Sequence, residues 1–204
     1  WRLDQAVRRV LVAKARRGLF STELLPVAAA MRELEHAPRG VVSEVARRAI
    51  TVVKNDGAVL PLRKGQVVAV AATEPIFVEE LRRTVHARGL TMPVGTTLER
   101  IDADAARMVE LAHGADVALV GMQSAEHRAV VERLRATYPD LPIVVVSFGT
   151  PYLLSYLPRV EGYVCAFGWR DESERAAAAA LIARQPAAGT MPVELTGGPR
   201  LGAR

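Results

Sequence analysis

The sequence predicts an α/β fold: a mostly parallel sheet of about five to six strands flanked by helices as a sandwich, behind a helical N-terminal lead-in. Three observations carry this. Beyond Gly65, short apolar runs alternate with amphipathic segments long enough to be crossover helices. Val67-Val68-Ala69-Val70 and Val144-Val145-Val146 are nearly continuous in valine, as befits strands covered on both faces. Half of the 204 residues are apolar, enough to bury a substantial core.

In chain order, Leu3, Val7, Val10 and Leu11 fall on one helical face, with Arg8, Arg9, Arg16 and Arg17 mostly off it, and Gly18 ends the helix. Pro26 starts a short helix through Ala28-Ala29-Ala30-Met31, and Pro38-Arg39-Gly40 marks a break. Residues 1–40 read as lead-in and linker, and 41–204 as the α/β sandwich. The strands expected are Val67–Ala72, Thr91–Val94, Val117–Gly121, Ile143–Ser147 and Tyr163–Phe167. The helices expected lie near Val78–Ala87, Asp104–His113, Glu126–Thr137, Pro151–Tyr156 and Glu172–Arg184. Met191-Pro192-Val193-Glu194-Leu195 alternates and contains proline, which suits an edge strand, antiparallel if anything.

The net charge of +5 is spread over arginines interspersed with Asp and Glu rather than gathered in a tract, which argues against nucleic acid as a partner. Heavy Ala and Arg use beside only three lysines reads as the coding bias of a GC-rich bacterium. No apolar run approaches a membrane span, and Arg2, Asp4, Arg8 and Arg9 interrupt any signal-peptide centre. The chain opens at Trp1 inside a helical pattern, which reads as a piece or a processed product. Compartment is left open, a secreted or lipid-anchored parent included. Cys165 is alone in an apolar run and reads as a small buried hydrophobe.

An open parallel sheet binds ligands at the carboxyl ends of its strands. The first such strand runs into Ala72-Thr73-Glu74-Pro75 without glycine, and no Walker-type lysine loop follows elsewhere, so no cofactor is expected. Glu74, directly after a strand, is placed either for acid chemistry or to favour the dipole of the helix behind it. Asp102 and Asp104 read as caps at a helix start, and Asp171, Glu172, Ser173 and Glu174 repeat that pattern at the last helix. Ser124, Glu126 and His127 are close in sequence, but a triad is a matter of geometry. His36, His86, His113 and His127 have no metal-ligand spacing and read as solvated or core histidines. Trp169 suits stacking on a sugar ring and packing at a strand end about equally.

Several segments resemble, in order, those of one family. Leu3-Asp4-Gln5-Ala6-Val7-Arg8-Arg9-Val10-Leu11 is followed by Ala46-Arg47-Arg48-Ala49-Ile50, Thr51-Val52-Val53, Lys54-Asn55-Asp56-Gly57 and Leu60-Pro61-Leu62. Then come Ser147-Phe148-Gly149-Thr150-Pro151-Tyr152, Val164-Cys165-Ala166-Phe167-Gly168-Trp169 and Gly189-Thr190-Met191-Pro192-Val193. This succession resembles the C-terminal region of family 3 glycoside hydrolases of the beta-N-acetylhexosaminidase type: the end of the catalytic barrel, the linker and the α/β sandwich.

The resemblance implies a retaining glycosidase whose (β/α)8 barrel bears the aspartate nucleophile and, in this branch, a histidine acid/base. The family's barrel motifs have no counterpart here, so the chain is expected to be inactive alone, with no catalytic, cofactor or metal residue assigned. Its implied partners are the barrel of the same polypeptide and, through the whole enzyme, a carbohydrate. Glu74, Gln123 and Trp169 are the residues expected at a rim facing substrate or barrel. Two alternatives stay open: a stand-alone α/β module binding a small molecule or carbohydrate, and a beta-glucosidase-like member with its acid/base in this domain.

Overall fold

A computed structural model describes residues 1–21, 26–35 and 39–195. These form two compact units, Trp1–Arg39 and Gly40–Arg204. The first holds α1 (Arg2–Arg16) and α2 (Val27–Glu35). None of the α1 residues is buried within it; Leu3, Val7, Val10 and Leu11 all lie exposed. His36 and Pro38 lie outside the described residues.

The second unit is built on six strands: β1 (Thr51–Asn55), β2 (Val67–Ala72), β3 (His86–Thr91), β4 (Val117–Met122), β5 (Ile143–Ser147) and β6 (Gly162–Cys165). They lie in the order β1-β6-β5-β4-β2-β3. β2 to β6 are parallel; β1 is antiparallel to β6, with an irregularity between Val52 and Lys54. The helices are α3 (Arg39–Ala49), α4 (Pro75–Arg82), α5 (Leu98–Ala112), α6 (Arg128–Thr137) and α7 (Asp171–Leu181).

Strand periodicity sorts the core into two layers. Val68, Val70, Ala72, Val144, Val146 and Val164 face α4 and α7, where Phe77, Leu81, Ala177 and Leu181 pack with Ile50. Ala69, Ala71, Ile143, Val145, Tyr163 and Cys165 face α5 and α6, against Met108, Val131 and Leu134. A sheet buried on both sides explains the unbroken valine runs.

Five expectations are corrected. The second parallel strand is His86–Thr91, not Thr91–Val94. It is the outer strand, exposed along much of its length, so His86-Ala87-Arg88-Gly89 lacks the apolar signature of its neighbours. The ladder stops before Pro93, which has no N–H to donate. The strand expected over Tyr163–Phe167 ends at Cys165, because Phe167 turns into the left-handed region at φ 54°.

Met191–Leu195 forms no strand. β1 occupies the antiparallel position instead. The terminal segment docks on it where the Gly189 N–H meets the Ile50 carbonyl at 2.9 Å and Met191 is buried. A Cβ at Gly189 would lie 2.2 Å from Thr51 Oγ1, so this approach requires glycine.

Asp102 and Asp104 do not cap α5. It begins earlier, at Leu98, where the Thr97 side chain accepts the Arg100 N–H at 3.3 Å. The last helix stops at Leu181 rather than at Arg184. There the Ala183 N–H bonds the Ala180 carbonyl and the Arg184 N–H bonds the Ala179 carbonyl, with Ala183 at φ 54°. This is a Schellman motif with alanine in the position glycine usually holds.

Candidate functional site at the carboxyl edge of the sheet

The chain leaves β2 for β3 on one side and then returns for β4 on the other, so the winding reverses between β2 and β4. A crevice outside the carboxyl ends of two such strands is where open α/β sheets take ligands. Here Thr73 follows β2 and Gln123 follows β4, and Gln123 Nε2 donates to Thr73 Oγ1 at 2.9 Å across the reversal. Gly149, after β5, packs so closely on this turn that a Cβ would come 2.2 Å from the Gln123 carbonyl oxygen. Gln123 is therefore engaged on both sides, by side chain and by backbone.

The neighbouring groups are also largely committed. Glu126 Oε1 accepts the Gly95 N–H at 3.0 Å. His127 is fully buried, with Nε2 3.2 Å from the Pro93 carbonyl, while its Nδ1 and the Ser124 Oγ have no hydrogen-bond partner. Ser124, Glu126 and His127 thus take no hydrogen bond from one another and form no relay. After β5, Ser147 Oγ donates to the Thr150 carbonyl at 2.8 Å, and Thr150 Oγ1 accepts the Tyr152 N–H at 3.4 Å. Phe148 meets Phe77 edge to face at 5.3 Å, tying this loop to α4.

Glu74 is exposed at the N-cap position of α4, where its side chain makes no capping bond. Its charge lies at the positive end of the helix dipole. Trp169 is 55% exposed on the turn between β6 and α7. The turn is shaped by Phe167 at φ 54° and by Gly168, whose Cβ would come 2.5 Å from Ser173 Oγ. Glu74, Gln123 and Trp169 all follow parallel strands and share this edge, with Glu74 and Trp169 open to solvent.

One carboxyl behaves unlike the rest. Glu174 lies in the first turn of α7 but is fully buried, and neither of its oxygens has a hydrogen-bond partner. Burial pushes its pKa up to about 8, and the charges of Glu74 and Asp171 add to the effect. The Phe77 amide in the first turn of α4 pulls the other way without completing a hydrogen bond. Glu174 is thus a neutral acid at pH 7, held between the starts of two helices. Being enclosed, it cannot hand a proton to an external sugar.

Reading Glu174 as an ordinary cap is therefore corrected. The signal was present in its spacing: Ala177, Ala178 and Leu181 follow at the intervals of one helical face, and that face is the buried one. Asp171 and Glu172 do sit in the first turn of α7, where negative charge favours the dipole. Among the described residues no group of three or more metal-ligating side chains is assembled.

No protein-family model matches the chain. A curated relative, the beta-N-acetylglucosaminidase/beta-glucosidase of Cellulomonas fimi, is 28% identical over 95% of this chain and 39% of its own length. A family 3 beta-N-acetylglucosaminidase from Paenibacillus sp. str. FPU-7 superposes with a TM-score of 0.68 at 22% identity, covering 96% of this chain and 40% of that one. This chain is similar to the C-terminal region of family 3 glycoside hydrolases. A beta-glucoside phosphorylase, BglX, shares the fold with a TM-score of 0.61 at 21% identity, over 95% of this chain and 38% of that one. The chain thus spans about two fifths of the length of the curated relative it matches. The expected family resemblance and sandwich fold stand on this agreement of sequence and topology.

Proposed function

We propose that this chain is the C-terminal accessory domain of a beta-N-acetylhexosaminidase-like family 3 glycoside hydrolase and is inactive by itself. The observation that carries the proposal is coverage: nearly the whole chain aligns with only 39% of the Cellulomonas fimi enzyme. Its architecture is in keeping, since the described residues form one open six-stranded sheet, whereas a (β/α)8 barrel needs about 250 residues of its own.

Retaining hydrolysis requires a nucleophile and an acid/base on opposite sides of the glycosidic bond. Of the two unusual carboxyls at the sheet edge, Glu174 is sealed off and Glu74 stands exposed without a reachable partner acid. The domain's part is then to pack beside the barrel and border the mouth of its site, with Glu74, Gln123 and Trp169 as the rim. Residues 1–40 supply the end of the barrel and the linker, which accounts for an α1 whose apolar face is bare within its own unit.

The test is hydrolysis of a chromogenic beta-N-acetylglucosaminide, beside the matching beta-glucoside, by this chain alone and by the same chain joined to its upstream barrel. Activity in the longer protein only is expected. Turnover by residues 1–204 alone would overturn the proposal and make Glu74 the first residue to replace.

A further inference from the structure

On the outer side of the α4–α7 layer lies a cleft of about 490 Å³. Its charged lining is Arg47 from α3, Arg83 after α4, Arg175 from α7 and Arg184 beyond it, against Glu80 and Glu172. Four guanidiniums from separate stretches of chain thus meet two carboxylates, leaving a surplus of positive charge.

The pairing within the cleft sharpens that surplus. Glu80, 12% exposed at its side chain, is shared by Arg83 at 3.1 Å and Arg175 at 2.6 Å. Arg47 bonds Glu44 through Nε at 2.8 Å and Nη2 at 2.7 Å, yet Glu44 is also held by Arg48. Its two arginines keep the Glu44 pKa down at about 2. Glu80 and Glu44 therefore each serve two guanidiniums, and each guanidinium has five N–H donors in a rigid fork. Donors are left over.

Arg184 makes no side-chain hydrogen bond or ion pair among the described residues, and its position is set by backbone. The Schellman motif at the end of α7 needs Ala183 at φ 54°, a conformation that costs alanine on the order of 1 kcal/mol and that glycine would adopt freely. The Arg184 N–H reaches back 2.8 Å to Ala179, another lining residue, which holds the Arg184 stem beside the cleft. Strained backbone that fixes a cation with no described partner beside three others points to a ligand that accepts from several guanidiniums at once.

We propose that this cleft binds a compact, multiply charged oxyanion, a phosphate group either free or esterified to a small molecule. Arg184 and Arg47 supply the principal contacts, and the Arg83–Glu80–Arg175 bridge forms the floor. The site is independent of the carboxyl edge and of the glycosidase reading.

The test is titration of residues 1–204 with inorganic phosphate, followed by calorimetry and by the arginine side-chain N–H resonances, against sodium chloride at equal ionic strength. Saturable phosphate binding, with shifts confined to Arg47, Arg83, Arg175 and Arg184, is expected. Arg184→Gln should weaken it about tenfold. Arg107→Gln, an equal change of charge at an exposed position of α5, should not. A parallel arm with a hexose monophosphate distinguishes the sources: binding confined to inorganic phosphate assigns the free ion, and tighter binding of the ester assigns the esterified group. A chloride response matching that of phosphate, or equal weakening by both substitutions, reduces the effect to general screening and overturns the proposal. The Arg184 side chain bonds no other described residue, and the bond from its backbone N–H to Ala179 survives the substitution, so the replacement leaves the structure intact for the comparison.

Discussion

Among the described residues, the two helical layers of the sheet each bury one carboxyl, and they treat it in opposite ways. On the α5 side, Asp104 is 4% exposed, and Arg100, one turn earlier, places its Nε 3.0 Å from both carboxylate oxygens. On the α7 side, Glu174 is equally buried with no partner and stays protonated to about pH 8. Both residues lie on the apolar face of their helix, and both interrupt it. What differs is the residue four positions earlier. Arg100 precedes Asp104 at i−4, whereas Arg170 precedes Glu174 as the N-cap of α7, outside the helix. A buried acid is thus paired where the helix supplies a cation and left without a partner where it does not.

The largest expected effect separates the two by pH. The unfolded chain releases the Glu174 proton near 4.5, while the folded chain holds it to about 8. Its contribution to stability is therefore fully present below 4.5 and is lost progressively as pH rises to about 8. Glu174→Gln should remove this slope and leave the variant more stable than the parent at pH 9 by on the order of 3 kcal/mol. Urea denaturation of both proteins at pH 5, 7 and 9 gives the answer, and parallel profiles would show that Glu174 is not the buried acid described.

Next in size is the loss of the cation that makes Asp104 different. Arg100→Ala should cost about 1–2 kcal/mol, below the roughly 3–5 kcal/mol for breaking a fully buried pair, because Arg100 itself is 53% exposed. Adding Asp104→Asn should recover part of that loss, since a neutral amide needs no cation. A double variant no more stable than Arg100→Ala would mean the guanidinium matters through its packing instead.

The smallest effect concerns the neighbour of Glu174. Glu74→Gln removes a charge that raises the Glu174 pKa, so the Glu174 titration should move toward lower pH. Carboxyl resonances followed through the titration would detect it, and an unmoved midpoint would leave burial and Asp171 as the causes. On the proposed reading, in which Glu74 borders the site of a longer enzyme, the same substitution in that enzyme bears on the rim. A changed KM with kcat preserved is the expected outcome, and unchanged kinetics would take Glu74 away from the site mouth.

Legibility from sequence was uneven, and the unevenness follows burial. Val67–Ala72 and Ile143–Ser147 were read to the residue, because strands covered on both faces are apolar throughout. His86–Thr91 was misplaced because an outer strand needs no such pattern. Met191–Leu195 alternates like a strand, yet it joins no ladder; the antiparallel place beside β6 belongs to β1. At the candidate site, the loops were found from where strands end. The Gln123–Thr73 bond and the isolation of Glu174 were not, since each joins residues 50 or more positions apart or depends on enclosure by two helices.

By itself, then, the sequence determined the alternation of strands and helices, the two-sided burial of the sheet and the family resemblance, all carried by local periodicity and ordered short motifs. Only the tertiary structure decided the strand order, the antiparallel β1, which carboxyl is paired and which is stranded, and the meeting of four arginines in one cleft. Those properties depend on dielectric and on distance between remote segments, and neither quantity exists until the chain has folded.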